Sequence, residues 1–75
     1  MDIKVAVKES ARELLHEQGD SFKEYARRVG TSPNSTAQKF DHDMRISSLI
    51  QFCDVMGIDI NKLVERIRRK LREDV

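Results

Sequence analysis

Residues 21–40, SFKEYARRVGTSPNSTAQKF, hold two short amphipathic runs separated by a glycine and a Ser-Pro pair, and their reading decides the fold. The first run opens on Ser21 with Glu24 three residues later. That is the spacing of a capping box, in which each side chain satisfies the other's orphan amide at a helix start. Phe22, Tyr25, Ala26 and Val29 then recur at three- and four-residue intervals, the buried face of a helix. Gly30 stops it, because glycine alone turns the chain through a left-handed conformation at little cost. Ser32 and Pro33 restart the chain: serine is a good N-cap, and proline suits the first helical position, where no amide donor is needed. The spacing predicts a third helix from Pro33 to about Phe40, with Thr36, Ala37 and Phe40 facing inward. Two helices joined by so tight a turn form a helix-turn-helix over about 21–40.

The flanks follow the same punctuation. Val7, Ala11, Leu14 and Leu15 fall on one helical stripe, which predicts a first helix from Ile3 or Lys4 to Gln18, ended by Gly19. The segment DHDMR, 41–45, reads as a polar turn. Ser47 is the expected cap of a fourth helix that turns Leu49, Ile50, Phe52, Cys53 and Met56 inward and ends at Gly57. Asp59 is the expected cap of a fifth, with Ile60, Leu63, Val64, Ile67 and Leu71 at strict three-and-four spacing over about 60–73. No linker, internal repeat or low-complexity stretch interrupts the pattern. Residues 1–75 therefore read as a single domain, an all-α, compact five-helix bundle containing a helix-turn-helix.

Composition supports a small folded domain: 39% of residues are hydrophobic and 36% charged, a balance above that of disordered chains. The lone cysteine, Cys53, cannot form an internal disulfide and reads as a small core residue. The stretch MDIKVAVKES lacks a long apolar segment, so neither a signal peptide nor a membrane span is expected and the expected location is cytoplasmic. The net charge of +1 is low for a nucleic-acid binder. Residues 1–58 carry eight basic and nine acidic side chains, and residues 59–75 six basic and four acidic. Any field that attracts DNA must be local, made by Lys23, Arg27, Arg28, Lys39 and Arg45 on one face.

The order of elements is more specific than any single motif. With Ala26 and Gly30 in the first stretch, and MRISSLIQFCDVMGIDINKL (44–63) in the second, the chain resembles the Cro/repressor-like (Xre-type) helix-turn-helix family over nearly its whole length. Met56-Gly57-Ile58 stands where that family has Leu-Gly-Val. The resemblance implies a lambda-repressor-like bundle whose third helix lies in the DNA major groove. It places Ser32, Asn34, Ser35 and Gln38 toward base edges, with Thr31, Lys39, Arg27, Arg28 and Arg45 toward phosphates. Asn and Gln can bond adenine bidentately, and the helix start with the amides of Thr31–Asn34 offers a phosphate site. Two positions depart from the family: Phe22 stands where glutamine often touches the backbone, and Thr36 where isoleucine or leucine usually points inward.

Other chemistry is poorly represented. His16 and His42 are isolated, Asp41 and Asp43 lack a nucleophile or phosphate-binding loop, and no metal, cofactor or enzymatic activity is expected. The basic run Arg66, Arg68, Arg69, Lys70 and Arg72 is a solvated face, a phosphate contact or the flank of a partner surface. The stripe of Val64, Ile67 and Leu71 is expected to serve that partner, most simply a second copy. Two readings follow. One is a small sequence-specific DNA-binding transcriptional regulator, a repressor-type homodimer on an inverted repeat of double-stranded DNA. The alternative is an antirepressor or antiactivator that keeps the scaffold and docks on another regulatory protein, with Phe22, Tyr25 or Met44 as anchors.

Overall fold

The computed structural model describes residues 1–42 and 45–73. They form five helices and no strand: α1 (Ile3–Glu17), α2 (Phe22–Val29), α3 (Pro33–His42), α4 (Ile46–Met56) and α5 (Ile60–Glu73). α1 packs on α3 and α5, α2 on α3 and α4, and α4 on α5. The chain is an all-α five-helix bundle.

Three helices end by the same device. Gly19, Gly30 and Gly57 all have positive φ, 79°, 74° and 69°. The amide beyond each glycine returns to a carbonyl five residues earlier: Asp20 to Leu15 at 2.8 Å, Thr31 to Ala26 at 2.9 Å, Ile58 to Cys53 at 2.8 Å. This closure satisfies carbonyls that a helix end would otherwise leave unpaired. At Gly30 an added Cβ would meet nothing within 4 Å, so only the left-handed backbone demands glycine there.

The helix starts agree less closely with expectation. Ser21 Oγ accepts from the Glu24 amide at 3.3 Å, but the reciprocal half of the capping box is replaced. The Glu24 carboxylate accepts from Arg27 and Arg28 instead, because two guanidinium donors on the next turn outcompete one backbone amide. Ser32 Oγ accepts from the Ser35 amide at 3.1 Å, as its cap role requires. The Asp59 side chain accepts from the Asn61 amide at 2.9 Å.

Two boundaries move. The α3 backbone runs two residues past Phe40 into the segment read as a turn, and the placements of Asp43 and Met44 and of the Ala37, Asp41 and His42 side chains lie outside the described residues. α4 starts before Ser47: Arg45 occupies the N-cap in extended conformation and makes no side-chain cap. Ser47 thus sits inside the helix it was expected to open.

The core is built on a four-ring cluster. Phe52, fully buried, meets Tyr25 edge-on at 4.9 Å and Phe40 edge-on at 5.4 Å between ring centroids. Phe22, half-buried, lies 5.1 Å from Phe40 and 6.5 Å from Phe52. These tilted geometries are the favoured ones for aromatic quadrupoles. Ala6, Val7, Ala11, Leu14 and Leu15 supply the α1 face, and Cys53, Met56, Ile58, Leu63 and Ile67 close the far side. Ala26 is 1% exposed, which accounts for a small residue where α2 meets α3. No helix among the described residues is long and apolar enough to cross a membrane.

One expected core position is outside it. Ile50 is 45% exposed, because the buried arc of α4 (Leu49, Phe52, Cys53, Met56) lies to one side of it.

Candidate nucleic-acid interface

α3 is fixed from below and presented above. Thr36 and Phe40 are buried, and Thr36 Oγ1 donates to the Ser32 carbonyl at 3.2 Å. That bond explains how a hydroxyl occupies a position where an aliphatic residue would serve: its proton is satisfied within the helix. Asn34, Ser35, Gln38 and Lys39 are all exposed. At 3.6 residues per turn, Asn34 lies under Gln38 and Ser35 under Lys39 as two adjacent rows, opposite Thr36 and Phe40. Four of the expected contact residues therefore share one uninterrupted outward face.

Local hydrogen bonds divide their labour. Ser32 accepts from the Ser35 amide and donates to Ser35 Oγ at 2.9 Å, so its hydroxyl is occupied with starting the helix. The Thr31 amide is taken by the Ala26 carbonyl, and Pro33 has no amide proton. The expected phosphate site of four successive amides is thereby cut to those of Ser32 and Asn34. The side-chain amides of Asn34 and Gln38 neither donate nor accept among the described residues.

The flanking cations also separate. Lys23 and Arg27, one turn apart on α2, are exposed beside an open depression that runs between the starts of α2 and α3 and includes Thr31 and Pro33. Arg27 donates to both oxygens of Glu24, at 2.9 and 2.6 Å. The Arg27 hydrogen bond, with that of Arg28, pushes the Glu24 carboxyl down to about 2. Arg28 points elsewhere: its guanidinium donates to the Val55 carbonyl at 3.1 Å, across to α4. That carbonyl is among the last of α4 and has no partner within the helix, so Arg28 also serves the fold, while its side chain stays 39% exposed. Gln18 does the same for the Met56 carbonyl at 2.8 Å. Arg45 is exposed at the start of α4.

Of the expected partner stripe on α5, two residues pack into the fold. Ile67 is buried and belongs to the core, and Leu71 is half-buried against it. Val64 alone of the three is exposed. The stripe is used because α1 is long enough to cover it, and charge locks the two helices in register. Arg66 donates to Glu13 at 3.0 Å and to Glu17 at 2.5 and 3.1 Å, and Lys70 donates to Glu13 at 2.5 Å. Glu9 completes the row, 3.8 Å from Lys70. Glu9, Glu13 and Glu17 recur every four residues, as do Arg66 and Lys70, so this pairing leaves a periodic trace in the sequence.

Among the described residues, no group of three or more His, Cys, Asp or Glu is arranged to hold a metal ion. Cys53 is 1% exposed, and burial pushes its thiol up to about 11. No protein-family model, curated protein or solved structure matches this chain.

Proposed function

We propose that this chain is a small sequence-specific DNA-binding transcriptional regulator that reads the major groove with α3 and acts as a homodimer. The observation that carries the reading is the outward face of Asn34, Ser35, Gln38 and Lys39 on a helix anchored by buried Thr36 and Phe40. A polar, uncapped amide pair on a rigid helix suits hydrogen bonding to base edges. Lys39 on the same face, with Lys23 and Arg27 beside the helix start, supplies the cations that hold phosphates. Asn34 and Gln38 read bases in this account, Lys23, Arg27 and Lys39 position the backbone, and Ser32 caps.

The protein-docking alternative needs Phe22, Tyr25 or Met44 as an anchor. Tyr25 is buried, and Phe22 is half-buried, tilted against Phe40 with the Arg12 guanidinium 5.9 Å from its ring centre. Neither offers a free aromatic surface, and Met44 lies outside the described residues.

A gel shift against the DNA flanking the chain's own coding region tests the proposal. A shift is expected at low salt, with log affinity falling against log salt by roughly 0.9 per phosphate contacted. No shift at low salt, with a second protein co-purifying, would contradict it.

A further inference from the structure

We propose that Arg12, on α1, is a further phosphate-holding residue of the DNA interface, with its guanidinium presented by the ring of Phe22. The proposal rests on the DNA reading and adds to it a contact from outside the helix-turn-helix. Arg12 is exposed, and its guanidinium carbon lies 5.9 Å from the centre of the Phe22 ring. Phe22 in turn is tilted against Phe40 of α3, at 5.1 Å between ring centroids. The ring is held by the same core that anchors α3, so the cation over it is placed relative to α3 rather than left on a free stem.

The donors of this guanidinium are uncommitted. Arg27 and Arg28 donate to Glu24, Arg66 donates to Glu13 and Glu17, and Arg69 pairs with Glu73 at 4.0 Å. The Arg12 guanidinium makes no hydrogen bond or ion pair among the described residues. The cause lies in α1 itself. The carboxylates nearest to it along that helix, Glu9 and Glu13, turn to Lys70 and Arg66 of α5. Arg68 and Arg72 are exposed as well, but they sit on α5, which packs on α1 and α4.

A ring is the support that keeps an arginine ready for an anion. It holds the guanidinium through its quadrupole, which uses none of the five N–H donors in a hydrogen bond. A phosphate takes two of those donors side by side, in the fork that a carboxylate would otherwise fill. Lys23 follows Phe22 in the chain and, with Arg27, lines the depression that reaches Thr31 and Pro33 at the start of α3. Arg12, Lys23 and Arg27 thus flank the first turns of α2, and of the three Arg27 alone has a carboxylate partner among the described residues. A backbone strand held by Lys23 and Arg27 can continue to Arg12 beside the first residue of that helix.

Anisotropy titrations over a salt series test the proposal, with the full chain and the duplex that flanks its own coding region. Arg12→Gln keeps a long polar side chain without the charge. It is expected to lower the slope of log affinity against log salt by about 0.9 and to weaken all sequences alike. Arg12→Lys should restore the slope, which counts charge, but not the full affinity, which needs the fork. Phe22→Leu keeps apolar packing and removes the ring. It should weaken the wild type more than it weakens Arg12→Gln, because the ring acts through the guanidinium. Circular dichroism checks that each variant is folded at the titration temperature. An unchanged slope in Arg12→Gln, with Arg27→Ala losing its unit, overturns the proposal and leaves the DNA reading standing. A Phe22→Leu loss of equal size in both backgrounds overturns the part given to the ring. A wild type that binds no duplex at low salt overturns both the proposal and the reading beneath it.

Discussion

The guanidinium of Arg28 donates to the carbonyl oxygen of Val55 at 3.1 Å and so ties α2 to the last turn of α4. One side chain thereby closes a helix end 27 residues away in the chain while keeping a contact to Glu24 at 3.1 Å. The neighbouring Arg27, on the same short helix, faces solvent beside α3. Two adjacent arginines thus have different partners.

That division predicts different mutant phenotypes. Arg28→Ala should destabilise the fold by about 1 kcal/mol, the usual scale of a partly exposed charge-assisted hydrogen bond, and leave the salt slope of DNA binding unchanged. Arg27→Ala should reduce that slope by about one unit and weaken all DNA sequences alike, with little change in melting temperature. Thermal melts alongside anisotropy titrations over a salt series decide the matter. Equal loss of slope in both variants would return Arg28 to the phosphate contacts.

Ser10 is buried at the centre of α1, and its hydroxyl finds no partner among the described residues. An unpaired buried hydroxyl costs free energy, and alanine is the better helix former. Ser10→Ala is therefore expected to raise stability by about 1 kcal/mol in urea denaturation. A destabilised variant would mean that the hydroxyl is satisfied after all.

Acid should loosen the molecule in a definite window. Arg27 and Arg28 hold the Glu24 carboxyl at about 2, Lys70 and Arg66 lower that of Glu13, and Arg66 lowers that of Glu17. A carboxyl depressed on folding contributes stability above its ordinary value near 4.5, and that contribution is lost as pH falls toward the folded value. The melting temperature should hold from neutral pH to about 5 and then decline. In Glu13→Gln and Glu24→Gln the decline should be shallower, from a lower starting point. An unchanged decline in both variants would show that other groups govern acid unfolding.

Cys53 provides an independent check on the core. Burial beside Phe52, with its thiol pushed up to about 11, leaves almost no thiolate at pH 8, and thiolate is the reactive form. Thiol-specific reagents should modify the native chain very slowly at that pH and react at once in denaturant. Rapid native labelling would contradict the packing of α4.

The sequence carried some of this plainly and some not at all. Gly19, Gly30 and Gly57, with the caps at Ser21, Ser32 and Asp59, obey local rules that need no tertiary context, and the structure follows them. The start of α4 differs from expectation because Ser47 has the right chemistry for a cap, while the chain leaves extended conformation two residues earlier, at Arg45. Ile50 and Ile67 were interchanged in role by the same ambiguity. A three-and-four apolar pattern gives the face of a helix but not how wide an arc its neighbours cover. The long-range caps from Gln18 to Met56 and Arg28 to Val55 leave no periodic trace, so no signal could have revealed them. On α3 the outward set was legible, but the diversion of Ser32 into capping and of the Thr31 amide into the turn needed the closed helix ends.

The central claim is that Asn34 and Gln38 on α3 read base edges, and selection from a random-sequence duplex pool tests it most directly. The wild type is expected to enrich a defined inverted repeat. Asn34→Ala and Gln38→Ala should each relax the preference at particular base positions, at about 1–3 kcal/mol per lost bidentate contact, while keeping the melting temperature. Failure of the wild type to enrich any sequence at low salt, or identical enrichment by the wild type and both variants, would contradict it.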